Sequence, residues 1–176
     1  MTTTFLTSSL VHHDSPVGRL AIHVAADRIT RVDIQTAALI VAATETALGD
    51  TALDCTPTPL HDEARRQFDD YFANRRDRFD LPLEYWGTPF QETVWELLDE
   101  VPFGTTTTYG DLAELSGRPT GARAVGGAIR ANRLAILVPC HRVLGAGRRV
   151  TGYSPGDGVA TKKWLLEHEG IDFAGS

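Results

Sequence analysis

The sequence predicts an α+β fold, with a small antiparallel sheet and helices at the N-terminus and a mainly helical C-terminal part. Two patterns predict this fold. The first 35 residues alternate apolar and polar side chains, as half-buried strands do. After residue 88, apolar residues recur at helical spacing, and one apolar run ends in a cysteine and a histidine. We place the domain boundary in the segment FDLPLEYWG, which gives domains 1–86 and 87–176.

The N-terminal strands are predicted from FLTSSLVHH and RLAIHVAADRITRVDI, which flank a turn at Ser15–Gly18. In the second stretch, Leu20, Ile22 and Val24 share one face. Residues 37–48 are helix-prone, and a loop that contains Cys55 follows. An amphipathic helix then ends near residue 74. Its apolar face consists of Leu60, Ala64, Phe68, Tyr71 and Phe72.

The C-terminal part begins with a helix. Thr88 is a predicted N-cap, Pro89 stands in the first turn, and Gln91 lies at the third helical position, as in a capping box. VPFG ends this helix. A helix over 109–115, a turn and a second helix that ends near residue 131 form a predicted helix-turn-helix. Short helix pairs also occur in ordinary cores, so this pattern alone leaves both interpretations open.

The bulk composition is that of a globular protein, with 176 residues of which 42% are hydrophobic and 23% charged. No apolar run reaches the roughly 18 residues of a membrane span, and MTTTFLTSSLVHHDSP does not resemble a signal peptide. We therefore expect a cytoplasmic protein with no membrane partner. We expect Cys55 and Cys140 to be thiols there, and the spacing of cysteines and histidines predicts no metal site.

The formal net charge of −6 conceals an uneven distribution. Residues 1–86 carry eight arginines and thirteen acidic residues, a net charge of −5. Residues 118–163 carry nine basic residues and one acidic residue, a net charge of +8. A basic block in an acidic protein favours a surface that binds a polyanion such as DNA. Scattered, solvated charges are the alternative interpretation.

The second helix of the predicted pair is rich in residues whose side chains form no hydrogen bond: Ala122, Ala124, Gly126, Gly127 and Ala128. Only Arg123 and Arg130 could reach bases, so sequence-specific reading of the major groove is not expected. Small residues let a backbone approach closely, which suits the minor groove. Each glycine costs about 1 kcal/mol in helix propensity. Close helix packing would explain the two glycines equally well.

The apolar run LAILVPCHRVLG predicts a buried strand that breaks at Pro139 and presents Cys140 in a loop. Positive charge on Arg142, Arg148 and Arg149 would favour the thiolate form of that cysteine. The simpler alternative is a small buried apolar residue, which is what a lone cysteine after a strand more often is.

His141 is the nearest base to Cys140. Adjacent side chains of an extended chain point to opposite faces, so a turn or a bridging water is needed between them. A neutral imidazole that acts as a base also needs a partner on its second nitrogen, usually a carboxylate. Glu167 and Glu169, in the last turn of a helix predicted over 160–169, are the candidates. His168 is a rival base whose simpler explanation is a surface position.

These residues resemble a known signature. VPCHRV is similar to the active-site sequence of the O6-alkylguanine-DNA alkyltransferases, or methylated-DNA–protein-cysteine methyltransferases. TPFQETVWELLDEVPFGTTTTYGDLA, ARAVGGAIRANR, TGYS and WLLEHEG extend the resemblance over nearly all of residues 87–170. SPVGRLAI and FDLPL resemble the family's first domain, which is ribonuclease-H-like. Arg133 and Ala135 stand where the family usually has proline, and the segment SPGDGVATKK is longer than usual.

The resemblance implies catalytic roles for five residues. Cys140 would accept the alkyl group, His141 would activate it through water, and Glu169 would hold the second nitrogen of the histidine. Asn132 would brace the turn around the active-site strand. Tyr109 would help to rotate the target nucleotide and would form a hydrogen bond with the flipped guanine.

The resemblance also implies a DNA-binding surface and a pocket for the base. Arg123 would enter the duplex at the position that the base leaves. The other residues expected at the minor groove are Ala122, Ala124, Gly126 and Arg130. The guanine pocket would be lined by backbone groups of Cys140, Val143 and Ser154 and by the ring of Tyr153.

The implied activity is DNA repair by one self-inactivating transfer from O6-alkylguanine, and less readily O4-alkylthymine, in double-stranded DNA. We expect a monomer that needs no cofactor, and cooperative binding to DNA stays open. One alternative is a non-catalytic protein that binds alkyl lesions, but in such relatives the cysteine that Cys140 matches is replaced. The other is a cysteine hydrolase built on Cys140 and His141, which would leave the basic helix-turn-helix unexplained.

Overall fold

A computed structural model describes residues 8–36 and 55–174. The chain divides into two compact units, Met1–Glu84 and Tyr85–Ser176. The helix predicted over 37–48 and the first residues of the predicted first strand lie outside the described residues. Within the described ranges, no helix has both the length and the apolar character needed to cross a membrane.

The first unit contains a three-stranded antiparallel sheet in the order β1 (Ser9–Ser15), β2 (Gly18–Ala25) and β3 (Arg28–Gln35). This confirms the small antiparallel sheet that the alternation predicts. The face predicted for the core is buried on β2, where the apolar residues are Leu20, Ile22 and Val24.

Helix α1 (Pro59–Phe72) packs on this sheet within the first unit. Thr58 caps its N-terminus, and the predicted apolar face is buried through Ala64, Phe68 and Tyr71. Phe79 packs against the rings of Phe68 and Tyr71, with centroids 5.2 Å away in each case. The predicted amphipathic helix is therefore confirmed, because the apolar residues of its pattern are the ones that the first unit buries.

The second unit begins with α2 (Pro89–Asp99), and the predicted capping box is confirmed. The Gln91 amide donates to Thr88 Oγ1 at 3.4 Å, and the Thr88 amide donates to Gln91 Oε1 at 2.8 Å. Buried Trp95 then donates from Nε1 to the carbonyl of Ala128 at 2.9 Å. That bond ties α2 to the second helix of the helix-turn-helix.

The helix-turn-helix itself is confirmed as α3 (Tyr109–Leu115) and α4 (Ala122–Arg130), which pack against each other. A short parallel pair joins β4 (Thr107–Thr108) to β5 (Val143–Leu144). Two 3₁₀ turns, Cys140–Arg142 and Ala146–Arg148, flank β5. Helix α5 (Val159–His168) completes the unit.

The strand predicted over 134–138 is wrong: the segment is a buried series of turns. Ile136 has a φ of 71°, a left-handed conformation that a β-branched residue rarely adopts. The amides of Leu137 and Val138 bond to carbonyls two and four residues earlier rather than to a neighbouring strand. The pattern of a buried turn and that of a buried strand are the same, because both need consecutive apolar side chains.

Candidate active site

A cleft of 810 Å³ in the second unit brings together most of the residues that the sequence singles out. Its walls come from α3, α4, the turn that follows α4, the 3₁₀ turn at Cys140 and the segment 151–155. The predicted site residues that line it are Tyr109, Ala122, Arg123, Gly126, Arg130, Asn132, Cys140, Tyr153 and Ser154. The cleft therefore joins the helix-turn-helix to the cysteine.

Cys140 begins a 3₁₀ turn directly after Pro139, whose φ of −80° and ψ of 61° turn the chain out of the preceding segment. The cysteine is 3% exposed and still lines the cleft. In an extended chain, the side chains of Cys140 and His141 would point to opposite faces. The turn at this position removes that constraint.

Asn132, in the turn that follows α4, holds the Cys140 turn in place. Its Oδ1 accepts from the Leu134 amide at 2.9 Å, and its Nδ2 donates to the Val138 carbonyl at 3.0 Å. The same Nδ2 lies 3.3 Å from Cys140 Sγ. One amide side chain thus bonds to the backbone at both ends of the turned segment 134–138 and also contacts the thiol.

His141 is the second residue of this 3₁₀ turn, and its ring contacts Glu169, the residue that follows α5. Its Nε2 is 2.9 Å from Glu169 Oε1, and both side chains are fully buried. Its Nδ1 is buried and has no hydrogen-bond partner among the described residues. Nε2 as the donor to the carboxylate leaves Nδ1 as the basic nitrogen.

Arg142 completes this group by a bidentate contact with the same carboxylate. Its Nε donates to Glu169 Oε2 at 2.8 Å and its Nη2 to Oε1 at 2.9 Å. Burial acts to raise the pKa of Glu169, but the hydrogen bonds from His141 and Arg142 outweigh it and hold that pKa well below its usual range. Burial also lowers the pKa of His141, which favours the neutral imidazole.

The three arginines that were expected to favour the Cys140 thiolate are occupied elsewhere. Arg142 is paired with Glu169, and the guanidinium groups of Arg148 and Arg149 bond to backbone carbonyls. Burial raises the pKa of Cys140, and the Asn132 hydrogen bond and the charge of Lys162 only partly offset it. The expectation that the arginines favour the thiolate is therefore wrong.

Lys162 is the functional candidate that the sequence did not reveal. It is 1% exposed on α5, and its Nζ donates to the carbonyl of Val143 at 2.6 Å. Burial lowers its pKa to about 8, while its coupling to Cys140 raises it. In the sequence it is the first of two lysines at the start of a helix, a pattern typical of a solvent-exposed surface.

Tyr109 lies across the cleft from the segment 151–155, and its hydroxyl is 2.9 Å from Thr151 Oγ1. Thr151 was also missed, although it stands directly before the GYS of the predicted pocket.

The exposed side of α4 has the composition expected for close approach of a ligand. A Cβ built on Gly127 would meet no atom within 4 Å, and one on Gly126 would meet only the Tyr109 ring at 3.9 Å. Close helix packing therefore does not explain the two glycines. Arg123 and Arg130 are exposed on the same helix and also line the cleft.

Four of the remaining predicted residues lie as follows. Val143 is buried in β5 and Ala124 is exposed, and neither lines the cleft. Glu167 is exposed and is not the partner of His141. The ring of His168 stacks on Trp164, with centroids 5.1 Å apart.

Across residues 8–36 and 55–174, no three side chains of the metal-binding types are grouped so that they could hold an ion.

Comparison with known proteins gives matches over both units. The family described as 6-O-methylguanine DNA methyltransferase, DNA binding domain, matches residues 89–171. The family described as 6-O-methylguanine DNA methyltransferase, ribonuclease-like domain, matches residues 7–85. The constitutive methylated-DNA–protein-cysteine methyltransferase of Bacillus subtilis is 40% identical over 160 residues, which cover 91% of this chain and 94% of that protein.

Solved structures agree with these matches. The crystal structure of Mycobacterium tuberculosis O6-methylguanine methyltransferase has a TM-score of 0.76 and 37% identity, over 92% of each chain. The M. tuberculosis OGT structure in complex with DNA has a TM-score of 0.74 and 36% identity, over 92% of this chain and 91% of that one. The chain belongs to the 6-O-methylguanine DNA methyltransferase family.

Proposed function

We propose that this protein repairs double-stranded DNA by transferring the alkyl group of O6-alkylguanine to its own Cys140. The observation that carries the proposal is the position of this thiol. It is buried, yet it lines a cleft whose exposed wall is the small-residue and arginine face of α4. The relatives named for methylated DNA and the related structure with DNA support the same substrate.

DNA would bind with its minor groove facing α4. The open space above Gly127 would let a sugar-phosphate backbone approach the helix, and Arg123 and Arg130 would supply positive charge. A stacked guanine hides its O6 substituent, so the nucleotide would rotate into the cleft at a cost of a few kcal/mol. Arg123 would occupy the gap in the base stack and so offset part of that cost. Tyr109 would assist the rotation and contact the flipped base.

In the chemical step, His141 would take the thiol proton at Nδ1 through an intervening water, while Glu169 stabilises the imidazolium that forms. The thiolate of Cys140 would attack the alkyl carbon in line with the bond to O6. The sulfur–carbon bond forms as the carbon–oxygen bond breaks, and guanine leaves with the electron pair. The proton that the thiol lost is the proton that guanine regains, so the reaction needs no cofactor.

The product on the protein is a thioether, which offers water no ready path to cleavage. Each molecule would therefore act once. The same pocket, lined by Tyr153 and Ser154, would accept O4-alkylthymine less readily. We propose that the protein acts as a monomer in the cytoplasm.

The test is to incubate the full chain with duplex DNA that contains one O6-methylguanine and to measure intact protein mass and the modified peptide. We expect a gain of one methyl group per molecule, located on Cys140. Cys55 provides the matched control, since it is an exposed cysteine in the first unit. Cys55→Ser should transfer the group as the wild type does, whereas Cys140→Ser should gain no mass.

Two results would overturn the proposal. The first is binding of the modified duplex with no change in protein mass, which is the behaviour of a lesion-binding protein. The second is a Cys140→Ser protein that still restores guanine. Repeated turnover of an ester or amide substrate would instead indicate a cysteine hydrolase.

A further inference from the structure

The phenol of Tyr109 is held by a side chain from the opposite wall of the cleft. Tyr109 begins α3, Thr151 lies 42 residues later, and their oxygens are 2.9 Å apart. Both residues are partly buried, and both line the cleft with Cys140. The bond therefore lies in the cleft that holds the reactive thiol.

Thr151 is itself fixed by its surroundings. A Cβ built on Gly145 would lie 2.9 Å from Thr151 Cγ2, so the threonine methyl packs directly against the backbone of Gly145. The Gly145 amide donates to the Arg149 carbonyl at 2.8 Å and closes the loop that carries this contact. A β-branched side chain with its methyl confined has little freedom at χ1. Its hydroxyl is consequently held in one direction, toward Tyr109.

The hydroxyl pair has two possible polarities, and only one serves catalysis. When Thr151 donates to the phenol oxygen, the single proton of Tyr109 stays available for another acceptor. Hydrogen bonds arranged in series strengthen one another, so a phenol that accepts a bond is a better donor.

We propose that Thr151 is a positioning residue that keeps the Tyr109 hydroxyl pointed at the departing purine and strengthens it as a donor. This inference rests on the proposed alkyl transfer. As the carbon–oxygen bond to O6 breaks, negative charge develops on the purine and its ring nitrogens. Tyr109 donates a hydrogen bond to that charge, and Thr151 donates to Tyr109. Neither residue gives up its proton, so the proton balance of the transfer is unchanged.

The test is a double-mutant cycle measured by single-turnover methyl transfer from an O6-methylguanine duplex. Thr151→Val keeps the branched shape and removes the hydroxyl, and we expect its transfer rate to fall about tenfold. Thr151→Ser keeps the hydroxyl, and its rate should stay within about threefold of the wild type. In a Tyr109→Phe background, Thr151→Val should cause no further loss, because the two hydroxyls act in series.

A second readout separates positioning from a merely structural role. Iodoacetamide alkylates Cys140 without expelling a purine, so Thr151→Val should leave that reaction at the wild-type rate. A Thr151→Val protein that transfers methyl as fast as the wild type overturns the inference. So does an equal loss in both the wild-type and Tyr109→Phe backgrounds, or an equal loss toward iodoacetamide. Failure of the wild type to transfer any methyl group would instead overturn the proposed function.

Discussion

His141 Nε2 lies 2.9 Å from Glu169 Oε1, and neither side chain is exposed to solvent. The carboxylate has no access to water that could replace the imidazole, so the contact fixes the ring and its tautomer. Arg142 compensates the cost of burying the Glu169 carboxylate, because its guanidinium donates a hydrogen bond to each carboxylate oxygen. The base and the structural ion pair therefore share one anion.

Glu169→Gln is expected to damage both functions of that anion. Glutamine can still accept a hydrogen bond from His141, but it cannot stabilise the imidazolium, so methyl transfer should slow about 100-fold. Loss of the charge also leaves Arg142 buried without its partner, which should lower the free energy of unfolding by about 3–5 kcal/mol. Single-turnover rates and urea unfolding measure the two effects. Glu167→Gln is the control, because Glu167 is an exposed carboxylate in the last turn of α5, two residues before Glu169, and similar losses in both variants would contradict the assignment.

The same carboxylate predicts how stability depends on pH. Its pKa is lowered on folding, so the unfolded chain binds its proton first as pH falls. The stabilisation is present above the unfolded pKa of about 4.3 and is lost progressively as pH falls below it toward the folded pKa. Unfolding free energies measured from pH 7 to pH 2 should therefore decline more steeply for the wild type than for Glu169→Gln. Parallel curves would show that the pKa of Glu169 does not change on folding.

Lys162 predicts a change in the reactivity of the thiol. The charge of its ammonium favours the Cys140 thiolate, so Lys162→Met should raise the pKa of that thiol further. The rate at which iodoacetamide alkylates Cys140, measured from pH 6 to pH 10 in a Cys55→Ser background that removes the exposed thiol, reports this pKa. Lys163→Met is the control, since it removes the same charge one position away. A profile that shifts equally in both variants would assign the effect to overall charge.

The sequence predicted the elements that local chemistry determines. The capping box at Thr88 and Gln91 needs only residues three apart, and both of its hydrogen bonds form. The alternation that predicted the sheet follows from one buried face. Cys140 and His141 were recognisable because they are adjacent in the chain and match a specific signature.

The parts that sequence missed depend on distant contacts. The turn at Ile136 lies where the apolar pattern predicted a strand, and it is held by the Asn132 side chain, which bonds to the backbone of Leu134 and Val138. Lys162 is buried because the carbonyl of Val143 accepts its ammonium, and no local pattern encodes that contact. Arg142 was expected to favour the thiolate form of Cys140, but in the structure it forms an ion pair with Glu169.

Arg123→Ala should separate base flipping from chemistry. If this side chain fills the gap in the base stack, its loss should weaken repair of duplex DNA about 10- to 100-fold, the equivalent of a few kcal/mol. Reaction with free O6-methylguanine needs no flipping and should change little. The comparison of the two substrates in one variant is its own control. Equal losses toward duplex and free base would contradict a role in flipping.

Arg133 should contribute to DNA affinity through charge alone. Arg133 is exposed and directly follows Asn132, which lines the cleft, so we expect its guanidinium to reach the phosphates of DNA bound at α4. One phosphate contact contributes about 0.9 to the slope of log K against log salt concentration. Arg133→Gln should therefore reduce the magnitude of that slope by about 0.9, while the transfer rate at saturating DNA stays unchanged. Arg75→Gln is the control, because Arg75 is an exposed arginine of the first unit that pairs with Asp70. If both variants give the wild-type slope, Arg133 does not contact a phosphate.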